Sequence, residues 1–217
     1  VSAERNPTVA ELLAPLVDVT DRGIHDETGF VTWSAHLKAG AELAAALKAR
    51  LDPAKPPHVG VLLGNTPFFS TVLVAASVAG LVVVGLNPTR RGAALARDVE
   101  RADCQLVLTD TAPEPSSNVP YVDVESPTWA AELEAHRGVP VAFADVHPDE
   151  LFMLIFTSGT SGEPKAVRVT NDKVAFPGRM LSQRFGLGPT DTAYLSMPLF
   201  HSNAVMAGWA VAAAAGA

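Results

Sequence analysis

A single cysteine, Cys104, stands among the 217 residues, which excludes a disulfide within the chain and any cysteine-based zinc site. A reducing, cytoplasmic setting is the resulting expectation. Positive charge is also scarce: 16 Lys and Arg face 23 Asp and Glu, a formal net charge of −7. The charges are spread along the chain rather than gathered into a tail, so there is no basic footprint for nucleic acid or for an anionic membrane. Charged residues make up 18% and apolar residues 48%, lean in charge but otherwise ordinary for a globular protein with a real core. The amino-terminal stretch VSAERNPTVAELL lacks the basic, apolar and small-residue segments of a signal peptide. No internal repeat or low-complexity array is present. One uncharged run, Phe68 to Leu86, is nearly long enough for a bilayer. Gly80 divides it into a half that suits a helix and the run LVVVGL, which suits a buried strand, so no transmembrane segment is expected.

What is present alternates strands with helices. Thr8 and Glu11 form a capping-box pattern ahead of a short helix, and Ser34 is the expected cap of a longer one reaching about Leu51. VGVLL (59–63) reads as a strand, 67–79 as a helix started by Thr66 and Pro67, LVVVGL (81–86) as a strand, and 91–102 as a polar helix. QLVLT (105–109) is a further strand, 111–120 a loop, 121–124 a short strand, and Ser126 with Pro127 starts another helix. LFMLIFT (151–157), AVRVT (166–170) and TAYLSM (192–197) read as strands. Residues 171–186 read as a helix that Pro177 and Gly178 must kink or split, and 203–215 as an Ala-rich helix. This order predicts an α/β fold, a mostly parallel sheet flanked by helices. Its subregions are 1–150, made of strand–helix units, and 151–217. The uncapped apolar finish GWAVAAAAGA reads as an interruption inside a fold.

The densest chemistry lies in LIFTSGTSGEPKAV (154–167). A buried strand delivers the chain to a loop with glycines at 159 and 162, hydroxyls at 157, 158, 160 and 161, and a lysine at 165. Glycines allow close backbone approach, successive amide hydrogens form an anion nest, and Lys165 adds a mobile positive charge. A phosphate cradle is the reading, with a plain surface turn as the bland alternative. The P-loop pattern GxxxxGK[ST] is not met, because Glu163 and Pro164 separate Gly162 from Lys165 and Ala166 follows.

The string TSGTSGEPK (157–165) resembles the signature loop of the adenylate-forming, or AMP-binding, superfamily, with Ser161 and Ala166 as mild departures. VGVLLGNTPFFSTVLVAASVAGLVVVGLNPT (59–89) and YLSMPLFHSNA (194–204) are similar to the segments that flank that loop in the family. The resemblance implies the amino-terminal part of the large domain of an adenylate-forming enzyme, residues 1–217, with the carboxyl-terminal remainder absent. It implies phosphate binding by Thr157, Ser158, Gly159, Thr160, Ser161, Gly162 and Lys165, with Thr157 as the Mg²⁺ contact and Lys165 following the departing pyrophosphate. Phe200, His201, Ser202 and Asn203 resemble the fatty-acid–CoA ligase version of the acid-binding segment, and His201 joins Lys165 as a catalytic candidate. His201 stands where amino-acid-activating relatives usually carry an aspartate, which turns the substrate toward a plain acid. For His201 the competing reading is a helix-start histidine satisfied by backbone groups.

The implied reaction is ATP-dependent activation of a hydrophobic carboxylic acid, a fatty acid or a steroid side-chain acid, to an acyl-adenylate and then to a coenzyme A thioester. The alternatives are a fatty-acyl-AMP ligase that loads a carrier protein, and a non-catalytic nucleotide- or acyl-binding module. Arg90 and Arg91 read as a solvated helix-start pair, with contact to a coenzyme A phosphate as the second reading. The ribose-binding aspartate, the acidic metal partner and the carboxyl-terminal lysine of the family have no counterpart in these 217 residues, so the chain alone is expected to turn over poorly or not at all. Nothing in the sequence sets the oligomeric state.

Overall fold

The computed structural model describes residues 5–111, 117–157 and 165–217. The chain opens with helix α1 (Val9–Leu13), where Thr8 Oγ1 accepts from the Glu11 amide and the Glu11 carboxylate accepts from the Thr8 amide, the anticipated capping box. A hairpin follows, β1 (Gly23–Asp26) and β2 (Gly29–Thr32), which the sequence pattern does not announce. Its turn is built by Asp26, whose Oδ1 accepts from the Thr28 amide, the Thr28 hydroxyl and the Gly29 amide. Helix α2 (Trp33–Arg50) is capped by Thr32, whose Oγ1 accepts from the Ala35 amide at 3.2 Å. Ser34, the expected cap, lies inside the first turn and is buried.

The repeating units come next: β3 (His58–Leu62), α3 (Pro67–Ala79), β4 (Val82–Gly85), α4 (Gly92–Arg101), β5 (Leu106–Thr109), β6 (Tyr121–Asp123) and α5 (Pro127–Glu134). Then come β7 (Leu151–Thr157), β8 (Lys165–Thr170), α6 (Asn171–Phe185), a short α7 (Ser202–Ala204), a π-helical turn (Val205–Trp209) and α8 (Ala210–Ala215). Pro67 sits in the first turn of α3 as expected, but the Thr66 side chain makes no capping bond. The Ser126 hydroxyl does cap α5, accepting from the Trp129 amide.

One expectation fails outright and another in part, each for a clear reason. Residues 192–197 form no strand: no described strand lies beside them, and Tyr194 is 90% exposed, so the segment has no ladder to join. Helix α6 runs unbroken through Pro177 and Gly178, so of the kink or split expected there the split does not occur. A Cβ on Gly178 would lie 2.7 Å from the Ala210 carbonyl oxygen, so this glycine serves the close crossing of α6 with α8, and that packing outweighs the single helical bond that proline removes.

The main sheet runs β6-β5-β3-β4-β7-β8, parallel throughout except for the antiparallel β7–β8 pair. Strands from both expected subregions share it, because β4 pairs with β7. Alternate strand residues divide between two cores. Val59, Val61, Val83, Leu106, Leu108, Met153 and Ile155 join α1, α2, α3, α6 and α8 on one face. Leu62, Val82, Val84, Val107 and Leu154 join Leu95 and Val99 of α4 on the other. Both faces are therefore covered, as a parallel sheet requires. Among the described residues no helix is long and apolar enough to cross a membrane.

Three buried polar side chains tie the first core together. The indole N–H of Trp209 donates to Ser70 Oγ at 2.7 Å, and Ser70 Oγ lies 2.8 Å from His36 Nε2. Burial pushes the His36 imidazole down from the ordinary 6.5 to about 4. The unfolded chain then takes up this proton first, so the contribution of neutral His36 to stability is whole above pH 6.5 and is lost as the pH falls from 6.5 through 4. The loss approaches about 3 kcal/mol, since each tenfold change in proton affinity is worth about 1.4 kcal/mol. Urea unfolding of the 217-residue chain between pH 7 and pH 4 should show this decline. The decline should be shallower in His36→Gln; an identical acid-side slope in that variant would assign the loss to other groups.

Candidate functional site

Because both faces are covered, ligand chemistry is left to the strand ends. The connection from β3 to β4 moves to one side of the sheet, and the connection from β4 to β5 crosses back past β3. The carboxyl ends of β3 and β5 therefore flank a topological switch point, where open α/β sheets form their ligand crevice. The turn after β3 is fixed by Asp110, whose Oδ2 accepts from the Gly64 amide at 2.7 Å. In the LNPT turn after β4, Asn87 Oδ1 accepts from the amide and the hydroxyl of Thr89, both at 2.9 Å.

Strand β7 runs parallel to β4, pairing Ile155 with Gly85, and reaches Thr157 at this same edge. Thr157 pairs across the hairpin with Lys165, the first residue of the returning strand β8. The two ends of the expected phosphate loop are thus neighbours at one level of the sheet, and the Lys165 side chain is exposed. Ser158, Gly159, Thr160, Ser161 and Gly162 lie outside the described residues, as does the side chain of Thr157. Among the described residues no cluster of three or more His, Cys, Asp or Glu side chains could hold a metal ion.

The second predicted segment sits beside the first. A Cβ built on Gly85 would lie 3.0 Å from the Phe200 carbonyl oxygen and 3.3 Å from its Cα, so the backbone of Phe200 rests directly on the end of β4. Ile155, the partner of Gly85, is two residues short of Thr157, about 7 Å along the strand. The rings of Phe200 and His201 pack with centroids 4.2 Å apart, tilted by 40°. Phe200 and Ser202 are half-buried, while His201 and Asn203 are exposed. The His201 imidazole makes no hydrogen bond with another described residue, and His201 heads α7 without a side-chain capping bond. Among the described residues no backbone group satisfies the imidazole at this helix start.

Sequence reasoning missed Asn65. Its Nδ2 donates to the Leu195 carbonyl at 3.1 Å and its Oδ1 accepts from the Leu199 amide at 3.2 Å, pinning the segment that leads into Phe200 to the turn after β3. The only available signal was an asparagine directly after a strand-ending glycine. Arg90 is not simply solvated: its guanidinium pairs at 2.5 Å with Asp98, whose side chain is 2% exposed. Burial pushes the Asp98 carboxyl up, against the opposing pull of Arg90. Arg91 donates to the carbonyls of Pro88 and Arg90. The Cys104 thiol is buried and pushed up to about 12, which leaves it inert at neutral pH.

This fold, with a strand–loop–strand at its switch-point edge, is that of the AMP-binding enzymes, and residues 8–217 match that family: the chain belongs to it. It is 58% identical over 210 residues to the medium/long-chain-fatty-acid–CoA ligase FadD17 of Mycobacterium tuberculosis, covering 96% of this chain and 42% of that protein. It is 38% identical over 220 residues to the steroid-22-oyl-CoA synthetase of Rhodococcus jostii, covering 97% of this chain and 39% of that one. The chain thus spans about two fifths of the length of these curated relatives. The fold is also that of VinN in complex with L-aspartate, at a TM-score of 0.82 and 22% identity, over 98% of this chain and 61% of that one.

The contact at Gly85 gives a direct test of how the two segments are joined. Gly85→Val should displace the Phe200 backbone and destabilise the chain by about 1–3 kcal/mol, the range for overpacking a filled site. Denaturant unfolding of the variant would measure it, and unchanged stability would show that the segment can move off β4 without penalty.

Proposed function

We propose that this chain is the amino-terminal part, residues 1–217, of the large domain of a ligase that activates a medium- or long-chain fatty acid with ATP and passes it to coenzyme A. The observation that carries the reading is the seating of the Phe200 backbone on Gly85, with His201 against the Phe200 ring, beside the strand that ends in Thr157. It brings an apolar, histidine-bearing segment together with a phosphate loop, as joining a hydrophobic acid to a nucleotide demands. A fatty acid is favoured over a steroid side-chain acid by identity, 58% to the fatty-acid–CoA ligase against 38% to the steroid-22-oyl-CoA synthetase. Coenzyme A is favoured over a carrier protein because both of those relatives are named for coenzyme A thioester formation.

The first half-reaction joins the acid carboxylate to the α-phosphorus of ATP, expelling pyrophosphate; the thiol of coenzyme A then displaces AMP. In this reading the amides and hydroxyls of 157–162 hold the β- and γ-phosphates, and Lys165, at the hairpin mouth, balances the charge of the departing pyrophosphate. Thr157 is a fitting contact for Mg²⁺, which keeps most of its coordination for phosphate and water and needs little more than a neutral oxygen here. Bound Mg²⁺ would supply charge neutralisation to the phosphates. Phe200 and Ser202 line the approach of the acid, and His201 and Asn203 offer polar atoms to its carboxylate. The free, buried Cys104 agrees with a cytoplasmic setting.

The test uses the whole protein, with acid-dependent pyrophosphate exchange and thioester formation measured on a panel of acids of graded length, steroid acids included. Medium- and long-chain acids should be turned over best, and Lys165→Ala should lower kcat/KM about a hundredfold while leaving the fold intact. Failure of every acid to support exchange would overturn the reading, as would full activity in Lys165→Ala. The 217 residues alone, with about two fifths of the relatives' length, should show no sustained exchange.

A further inference from the structure

The segment Phe200–Asn203 is held between two fixed points that the helix register alone does not reconcile. On its amino-terminal side Asn65 grips Leu195 and Leu199, and Phe200 rests on Gly85. On its carboxyl-terminal side Trp209 is bound to Ser70, and Ala210 is in close contact with Gly178. Between them lies the π-helical turn Val205–Trp209, in which the Ala210 amide reaches back to the Val205 carbonyl. A π turn carries one more residue than an α turn. Reverting it to α geometry would rotate everything on its amino-terminal side by about 100°.

We propose that Ser70, hydrogen-bonded between Trp209 and His36, is a positioning residue: it holds the π turn in register and so sets where Phe200, His201, Ser202 and Asn203 present themselves to the acid.

The chemistry of the bridge supports this. An indole N–H can only donate, so Ser70 Oγ must accept from Trp209. The same Ser70 oxygen lies 2.8 Å from His36 Nε2, so one hydroxyl links the π turn through α3 to α2. Ser70 is 4% exposed, His36 3% and Trp209 1%, so water does not compete for these bonds. Without Ser70 Oγ the indole N–H is left buried and unpaired, and the turn that carries it gains a reason to shift. Trp209 closes the π turn, five residues beyond the end of the short helix α7, so any shift there is transmitted to the segment through one turn of backbone. The proposal deepens the reading of Phe200–Asn203 as the acid-binding segment and rests on it.

Full-length Ser70→Ala and the milder Trp209→Phe, which keeps an aromatic ring but loses the N–H, provide the test. Each should raise KM for the fatty acid about tenfold while KM for ATP stays within about twofold, since the phosphate loop hangs from β7 and β8 instead. The double variant should be little worse than either single one, because both break the same bridge. Amide hydrogen exchange over 201–209 should accelerate in both, relative to that over β3 and β4. A lowered melting temperature with both KM values unchanged would overturn the proposal, and so would a parallel rise of both KM values. If the wild-type protein turns over no acid, the functional reading falls, and unchanged exchange over 201–209 would then overturn the positioning role independently.

Discussion

The constraint from which the rest follows is the burial of both faces of the parallel strands β3, β4, β5 and β7. Their side chains alternate between two helix layers, so nearly every residue within a strand is committed to packing. Polar chemistry can enter only where the strands stop. The carboxyl ends of β3, β4 and β7 all lie on the same edge, because parallel strands place their carboxyl ends together. Gly85, Asn65 and Asn87 are responses to that crowding. The first lets a second backbone approach, the second grips it, and the third folds its own turn compactly.

The single antiparallel pair, β7 with β8, has a separate consequence. A parallel connection would need a long crossover, whereas a hairpin returns the chain after only the residues between Thr157 and Lys165. That places a hydroxyl-bearing residue and a lysine opposite one another at the mouth of the loop. In the proposed reading, a lysine at the base of this loop could follow a leaving phosphate group without leaving the sheet, as a reaction that expels pyrophosphate would need.

How far the sequence could be read depended on whether a residue's reason is local. The capping box of Thr8 and Glu11, the start of α5 at Ser126 and the apolar strands were legible because their causes lie within a few residues. The strand expected at 192–197 was not realised, because alternation of side chains does not supply a neighbour to bond with. Pro177 and Gly178 looked like a break and are a helix crossing, since the partner that needs the glycine, Ala210, is remote in sequence. The hairpin of β1 and β2 was missed because its signal is one aspartate serving three donors, not a hydrophobic pattern. In the site, the two motifs were legible as strings, but their adjacency was not. Only the pairing of Gly85 with Ile155, and the seating of Phe200 on Gly85, puts them together.

The same distinction explains why the buried bridge of His36, Ser70 and Trp209 escapes a reading of the sequence. Each of the three has an ordinary alternative: a core histidine, a small helix residue and a large apolar one. What makes them a unit is the meeting of α2, α3 and the π turn in one core, at distances of 2.7 and 2.8 Å. An apolar triad of similar volume would pack there as well and would spare the cost of burying an imidazole. Hydrophobic contact, however, is indifferent to a rotation of the π turn, whereas a hydrogen bond is directional and fixes one register. Retaining polar groups in this core therefore trades some stability for a defined orientation of the helix that follows Phe200 and His201.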